Sequence, residues 1–316
     1  MRAPGTAPLP RRRVDGVLLL DKDLGLSSNA ALQQVKRLFR AEKAGHTGTL
    51  DPLASGLLPI CFGEATKFAH MLLEADKTYV ATVRLGVTTT TGDAEGEVLK
   101  RQDVSVTRAE LEAILPRFVG RIAQIPPRHA ALKYQGRNYY EYAREGVEIP
   151  RAAREVTIES LTLQAWTHPD FELMIRCGKG TYVRVLAEDI GSALGCGAHL
   201  AALRRLETGG LTLEASSTRA DLAALSEEER DALLLPCDTL VAALPRIDLD
   251  AVEATRLAHG QAIARAALHD TSYRVYAEDV FAGIASAIDG TLRPRRLTSS
   301  AVSGPALKGR PLSRIA

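Results

Sequence analysis

Strand and helix patterns follow one another along this chain without a regular beat, and that irregularity limits the folds open to it. An apolar run over 16–20 ends at Asp21 and predicts a buried strand. Ser27-Ser28-Asn29 reads as a helix N-cap, with Leu32, Val35, Leu38 and Phe39 following at helical spacing. A second helix is predicted over 64–75. Residues 77–87 alternate apolar and polar and read as a strand, with another opening at 98–100. Thr107 and Glu110 form a capping-box pair at a helix start. A helix over 138–145 closes at Gly146, strands occupy 154–166 and 171–177, a helix covers 182–194, and 200–213 includes a strand. Strands and helices mix without a βαβ rhythm, so the pattern predicts an α+β fold rather than a doubly wound sheet.

The length of 316 residues allows one large domain and a small one. Apolar residues make up 46% and charged residues 25%, the balance of a soluble globular protein. No apolar run approaches the roughly 18–20 residues that span a bilayer. Residues 1–13 are Pro-rich and then basic (Arg11, Arg12, Arg13), without the apolar core of a secretory signal. They read as a disordered lead-in to a cytoplasmic protein. A main domain is expected over 14–245. Within it, 220–235 is acidic and helical, and Pro236 and Pro245 frame a hinge. A small β-rich module is expected over 246–297, and a poorly ordered tail over 298–316.

Several chemistries find no support. Cys61, Cys177, Cys196 and Cys237 make no C-x-x-C pair, so neither a metal site nor a disulfide scaffold is expected. No phosphate loop ends in Gly-Lys-Ser/Thr. Gly195-Cys-Gly197 lacks the third glycine of a dinucleotide site, and neither H-E-x-x-H nor G-x-S-x-G occurs. The formal net charge is only +2, but charge is uneven. Residues 117–154 hold eight Lys/Arg against three Glu, 221–238 hold six acids against one base, and six bases without an acid follow Thr291. Basic faces of this kind can track a phosphate backbone, or simply be solvated. Tyr134, Tyr139, Tyr140 and Tyr142 fall inside the basic stretch, interleaved with Lys133, Arg137 and Arg144. They suit base stacking on looped RNA equally with packing of a Tyr-rich helix on a sheet.

The densest stretch is Gly45-His-Thr-Gly-Thr-Leu-Asp-Pro-Leu-Ala-Ser-Gly-Leu-Leu-Pro59, which puts three glycines, two prolines, a His and an Asp in fifteen residues. It reads as a rigid, closely packed loop over 43–59. Pro52 pushes Asp51 out of the α region, leaving its carboxylate to cap a following helix or to face a ligand. In Lys179-Gly-Thr-Tyr-Val-Arg184, a glycine turn leads into a helix that carries Arg184, either a surface residue or the partner of a buried carboxylate.

These blocks resemble the TruB-type pseudouridine synthases, bacterial enzymes that isomerise uridine 55 in the T-loop of transfer RNA. Gly45 to Gly56 resembles the family's catalytic motif. Gly16-Val-Leu-Leu-Leu-Asp-Lys22 with Gly25-Leu-Ser-Ser28, Lys77-Thr-Tyr79 with Arg84-Leu-Gly86 and Thr91-Gly-Asp93, Ala131-Leu-Lys-Tyr-Gln-Gly136, and Lys179–Arg184 with Gly195–His199 and Leu203–Leu206 match further blocks in order. The resemblance covers about 16–213. It implies a mixed, largely antiparallel sheet flanked by helices and loops, with a PUA-like RNA-binding module at the C-terminus. It implies no cofactor and no metal, transfer RNA as partner, and no obligate protein partner.

The resemblance also implies roles. Asp51 is the expected catalytic aspartate, Arg184 its ion-pair partner, and Tyr79 a ring stacked on the uracil and a candidate for proton transfer. Tyr182 and Leu203 are expected to line the uracil pocket, His46 to fill space beside the flipped nucleotide, and Lys22 to support the catalytic loop. Asp93 and Lys133 join His46, Tyr182, Leu203 and Lys22 as expected substrate-binding residues. A carboxylate can attack C1′ or C6, or stabilise charge at C1′, and no external group is needed. The chain departs from the family pattern at Asp23, where proline is usual, and at His129-Ala130, where Tyr-Ser is frequent; these put the local turn and loop contacts in question. A synthase acting on another RNA, and an RNA-binding or RNA-folding protein on the same fold, are the competing readings.

Overall fold

The computed structural model describes residues 10–130 and 132–299. Its centre is a ten-stranded sheet. The chain enters it at β1 (Gly16–Lys22), and the helix Ser28–Leu38 leads to β2 (Ala44–His46) and β3 (Ala54–Phe62). After a short helical segment come β4 (Lys77–Leu85) and a side hairpin of β5 (Val87–Thr89) and β6 (Val98–Arg101). The helix Arg108–Ile114 precedes β7 (Gly120–Gln124), and a second small hairpin pairs β8 (Lys133–Tyr134) with β9 (Arg137–Asn138). Then come β10 (Arg154–Thr167), β11 (Asp170–Cys177), the helix Val183–Ala193, β12 (Ala198–Thr208), β13 (Leu211–Thr212) and β14 (Ser217–Thr218). The spatial order is β14-β1-β3-β12-β4-β11-β10-β7, with β2 also on β3 and β13 on β12. Only β1–β14 and β3–β12 are parallel, so the sheet is mixed and largely antiparallel, as expected.

Two cores pack on this sheet. Val83, Leu85, Phe171, Leu173 and Ile175 meet Val183, Leu186 and Ile190 of the helix Val183–Ala193. Leu18, Leu20, Leu58 and Ile60 meet Ala31, Leu32 and Val35 of the helix Ser28–Leu38. That helix starts where the sequence places it, because Ser27 Oγ accepts from Ala30 N at 3.1 Å. The Thr107–Glu110 capping box forms as well. A second, five-stranded sheet runs β15 (Arg246–Leu249), β17 (Ser272–Ala277), β18 (Val280–Ile288), β19 (Thr291–Leu297), β16 (Ile263–Ala264). It docks on the main body through Phe281 and Ile284, which pack with Phe68 and Leu240.

Three expectations need correcting. About half of the loop expected over 43–59 is strand, since β2 and the first six residues of β3 fall within it. The helix expected over 64–75 is a 3-10 turn, Gly63–Lys67, followed by a five-residue helix, Ala69–Leu73. The acidic segment is two short capped helices, Arg219–Ala224 and Glu227–Ala232. Of the expected lead-in, residues 1–9 lie outside the described residues. Arg12 is fastened, its guanidinium 2.6 Å from Asp231 and its N–H donating to Arg40 O at 2.8 Å. Of the expected tail, 300–316 lie outside the described residues, while Thr298 N donates to Ala282 O. No helix among the described residues is long and apolar enough to cross a membrane.

Candidate active site

Asp51 caps no helix. A turn at 52–53 follows it and runs directly into β3, with Ala54 N donating to Asp51 O at 3.0 Å. The segment before it is braced from the first sequence block. Ser28 Oγ donates to Leu50 O at 2.9 Å and accepts from Leu50 N at 2.7 Å. Gly25 N donates to Pro52 O. Lys22 is buried, and its ammonium donates to Asp23 O at 2.9 Å and Leu26 O at 2.5 Å. It fixes the turn that holds the loop, and burial lowers its pKa while the charges of Asp23 and Asp51 work the other way. The Asp23 departure is neutral here, because the contact uses a main-chain carbonyl.

Arg184 enters from the first turn of the helix Val183–Ala193. Its side chain is 7% exposed, against 41% for Asp51. Nη2 lies 3.1 Å from Asp51 Oδ2, and Nη1 lies 3.5 Å from Asp93 Oδ2. The fork is therefore shared between two carboxylates. The same nitrogens donate to Thr91 O at 3.2 Å and His129 O at 3.3 Å. At the second sequence departure, too, the contact is a backbone carbonyl that any side chain at 129 leaves in place. Asp93 is buried, and its other oxygen accepts from Thr91 Oγ1 at 2.5 Å and Glu95 N at 3.1 Å. It sits behind Arg184 with no surface to offer a substrate, so the structure gives it a supporting place rather than the expected contact. Gly92 makes that turn possible: its φ is +73°, and a Cβ there would meet the Glu188 carboxylate at 2.8 Å.

Removing two charges from water is costly and is offset only by close pairing and hydrogen bonding. The buried Arg184–Asp93 pair has both, and it leaves Asp51 as the carboxylate of the trio that reaches solvent. An ion held this way can meet a substrate without first rearranging.

Tyr79, on β4, is partly buried between the two cores. Burial raises its phenol pKa, and the Arg205 guanidinium opposes that rise. Leu203 is half-buried on β12, opposite Ala81 of β4 and Ala54 of β3. Tyr182 precedes the helix of Arg184; its N–H donates to Gln124 Oε1 at 3.0 Å, and its carbonyl accepts from Gln124 Nε2 at 3.3 Å. Burial raises its phenol pKa as well. His46 ends β2, and its buried Nδ1 has no hydrogen-bond partner among the described residues. Burial, then the charge of Arg205, lowers its pKa and favours the neutral ring. Lys133 stands apart, exposed on the β8–β9 hairpin.

Sequence reasoning missed Ser28, Gln124 and Arg205 as parts of this site. Ser28 and Arg205 lay inside blocks that resemble the family's, but nothing local pointed to the contacts they make. Gln124 carried no local signal, because its partner is far away in sequence. Among the described residues no group of three or more His, Cys, Asp or Glu could hold a metal ion.

Comparison with known proteins gives this arrangement a class. Residues 36–183 match the family model described as TruB family pseudouridylate synthase (N terminal domain). Residues 184–242 match the tRNA pseudouridylate synthase B C-terminal domain, and 245–298 match Pseudouridine synthase II TruB, C-terminal. The chain belongs to the TruB family of pseudouridylate synthases. A relative from Burkholderia mallei (strain NCTC 10247), named tRNA pseudouridine synthase B, is 57% identical over 297 residues, covering 92% of this chain and 98% of its own. One of the same name from Methylobacillus flagellatus is 54% identical over 294 residues, covering 92% and 97%. The fold is shared with a solved H/ACA RNP bound to a substrate RNA containing 2′-deoxyuridine, at TM-score 0.69 and 23% identity over 92% of this chain and 87% of the other.

Proposed function

We propose that this protein converts uridine to pseudouridine in transfer RNA, at position 55 of the T-loop, with Asp51 as the carboxylate that acts on the sugar–base linkage. The observation that carries the reading is the solvent-reaching carboxylate of Asp51, 3.1 Å from a buried guanidinium. The bond from C1′ to N1 breaks, and one from C1′ to C5 forms. Arg184 keeps the carboxylate placed, and Asp93 keeps Arg184 placed. Tyr79 and Leu203 supply ring-stacking and apolar walls that let a detached base turn while shielded from water. The target base must leave its stack, at a cost of a few kcal/mol. Contacts to the phosphate backbone offset that cost, and the basic stretch 117–154 with its Tyr-rich helix Tyr139–Arg144 supplies them. The sheet over 246–297 acts as a PUA-like RNA-binding module. The protein works in the cytoplasm, without a cofactor and without an obligate protein partner.

Mass-spectrometric mapping of unmodified transfer RNA treated with wild-type and Asp51→Asn protein tests this. Pseudouridine at position 55 with the wild type and none with the variant is the expected result. Modification elsewhere, or an active Asp51→Asn protein, sinks the reading.

A further inference from the structure

Arg205 is 1% exposed and is among the largest fully buried side chains of the protein. No carboxylate pairs with it among the described residues. Its Nε donates to Leu57 O at 2.7 Å and its Nη2 to Gly48 O at 3.4 Å. A guanidinium stays charged at any accessible pH, and burying one without a counter-ion is expensive. A position devoted to scaffold alone would be cheaper with an apolar side chain.

The sheet register shows what the charge faces. Arg205 lies opposite Tyr79 on β4 and beside Gly56 on β3. Immediately after it the register slips by one residue, so that Glu207 opposes Thr78. Such bulges re-aim a side chain. The strands close tightly on this point, since a Cβ on Gly56 would come within 2.3 Å of Arg205 O. Arg205 thus joins the loop before Asp51 at Gly48 to the strand after it at Leu57, and on the sheet it lies directly across from Tyr79.

We propose that Arg205 is a positioning residue for Tyr79, holding the ring that lies across from it on β4 in a fixed place against the Asp51 loop. The inference rests on the function proposed above. In that reaction C5 still carries its hydrogen after the new bond to C1′ forms. Loss of that proton breaks the C5–H bond, its electron pair makes C5=C6, and the C6=N1 pair moves to N1. The Tyr79 oxygen takes the C5 proton and N1 gains one from water, so the isomerisation balances without a co-reactant. The charged and titratable groups facing Tyr79 are Arg205 from β12, Cys177 from β11 and Asp51 from the loop. Of these, only Arg205 favours the phenolate; the other two oppose it.

The test is kcat and KM on a transfer-RNA transcript between pH 6 and 9.5, by tritium release from C5-labelled uridine. It compares wild type, Arg205→Lys, Arg205→Met, Tyr79→Phe and the Arg205→Met/Tyr79→Phe pair. In the wild type kcat should rise with pH. Arg205→Met should lower kcat about 10–100-fold at pH 8 and move the rise upward by about one pH unit, with KM changed less than about threefold. In the Tyr79→Phe background the same change should cost no more than about twofold, because the phenol it acts through is gone. Arg205→Lys keeps the charge but cannot reach Gly48 and Leu57 together. It should show an intermediate loss in the same direction, and it carries the test if near-ultraviolet circular dichroism shows the Met variant unfolded. A pH profile with unchanged shape, or losses that multiply in full in the Tyr79→Phe background, overturns the proposal. A wild-type protein that makes no pseudouridine sinks the function itself, whereas an active wild type with Arg205 variants of normal profile sinks only this inference.

Discussion

The Asp51–Arg184–Asp93 trio and the segment around the Tyr-rich helix use the same kinds of charge in opposite ways. In the first, Arg184 and Asp93 are almost wholly buried, and both terminal nitrogens of the one and both oxygens of the other have fixed partners. In the second, Arg137 pairs with Glu145 at 2.5 Å while both are half-exposed, and it also lies 4.7 Å from the Tyr142 ring. Arg144 lies 5.4 Å from Tyr140 in the same helix. Exposed pairs of this kind contribute little to stability and are screened by salt. Breaking a buried pair by removing one partner costs about 3–5 kcal/mol. Buried charge therefore sets geometry, and exposed charge supplies attraction that can be exchanged for phosphates.

Substitutions should divide along that line. The largest effect is expected for Asp51→Asn, with turnover down by on the order of 10³-fold or more and transfer-RNA affinity in filter binding nearly unchanged. Affinity falling in step with turnover would erase the contrast. Arg184→Lys should follow, with kcat down about 10²-fold, because one ammonium cannot serve two carboxylates and two carbonyls. Single-turnover kinetics would reveal this, and a lysine enzyme at wild-type rate would show that the shared fork is unnecessary. Arg144→Ala and Lys133→Ala should instead weaken binding a few-fold and lower the salt slope of log K by about 0.7–0.9 per lost phosphate contact, with kcat kept. A titration of affinity against salt checks this.

The smallest effect concerns His46. Its folded pKa lies below the ordinary histidine value because of burial, so the unfolded chain binds the extra proton first. Stability from this group is present above about pH 6.5, the ordinary histidine value, and is lost as pH falls through the depressed folded value. The denaturant midpoint should fall between pH 7.5 and 5.5, and His46→Gln should flatten that part of the curve.

The two regions also differ in how legible they were. The helix at 139–144, the strands at 154–167 and 170–177 and the Thr107–Glu110 capping box followed from spacing and cap residues. The strand β3 did not, because Gly56 and Pro59 lie inside it and read as punctuation. Pro59 falls where β3 passes from its β12 neighbours at 54–56 to its β2 neighbours at 60–62. A missing N–H is tolerated at such a handover. Asp51, Tyr79 and Arg184 were reached through ordered motif blocks, not through periodicity. Position alone left Asp51 open between a helix cap and a ligand-facing carboxylate. The depth of Asp93, the clamp of Gln124 on Tyr182 and the burial of Arg205 are long-range facts, and no window of sequence contains both partners.

The pair of bonds between Ser28 and Leu50 ties the backbone ahead of Asp51 to the start of a helix. The hydroxyl gives one hydrogen and receives another, so neither an alanine nor a cysteine can replace it, though a threonine can. Until the start of the helix Ser28–Leu38 has settled, the backbone just ahead of Asp51 lacks both anchors. If Asp51 acts as proposed, turnover regained during refolding should not precede the docking of that helix.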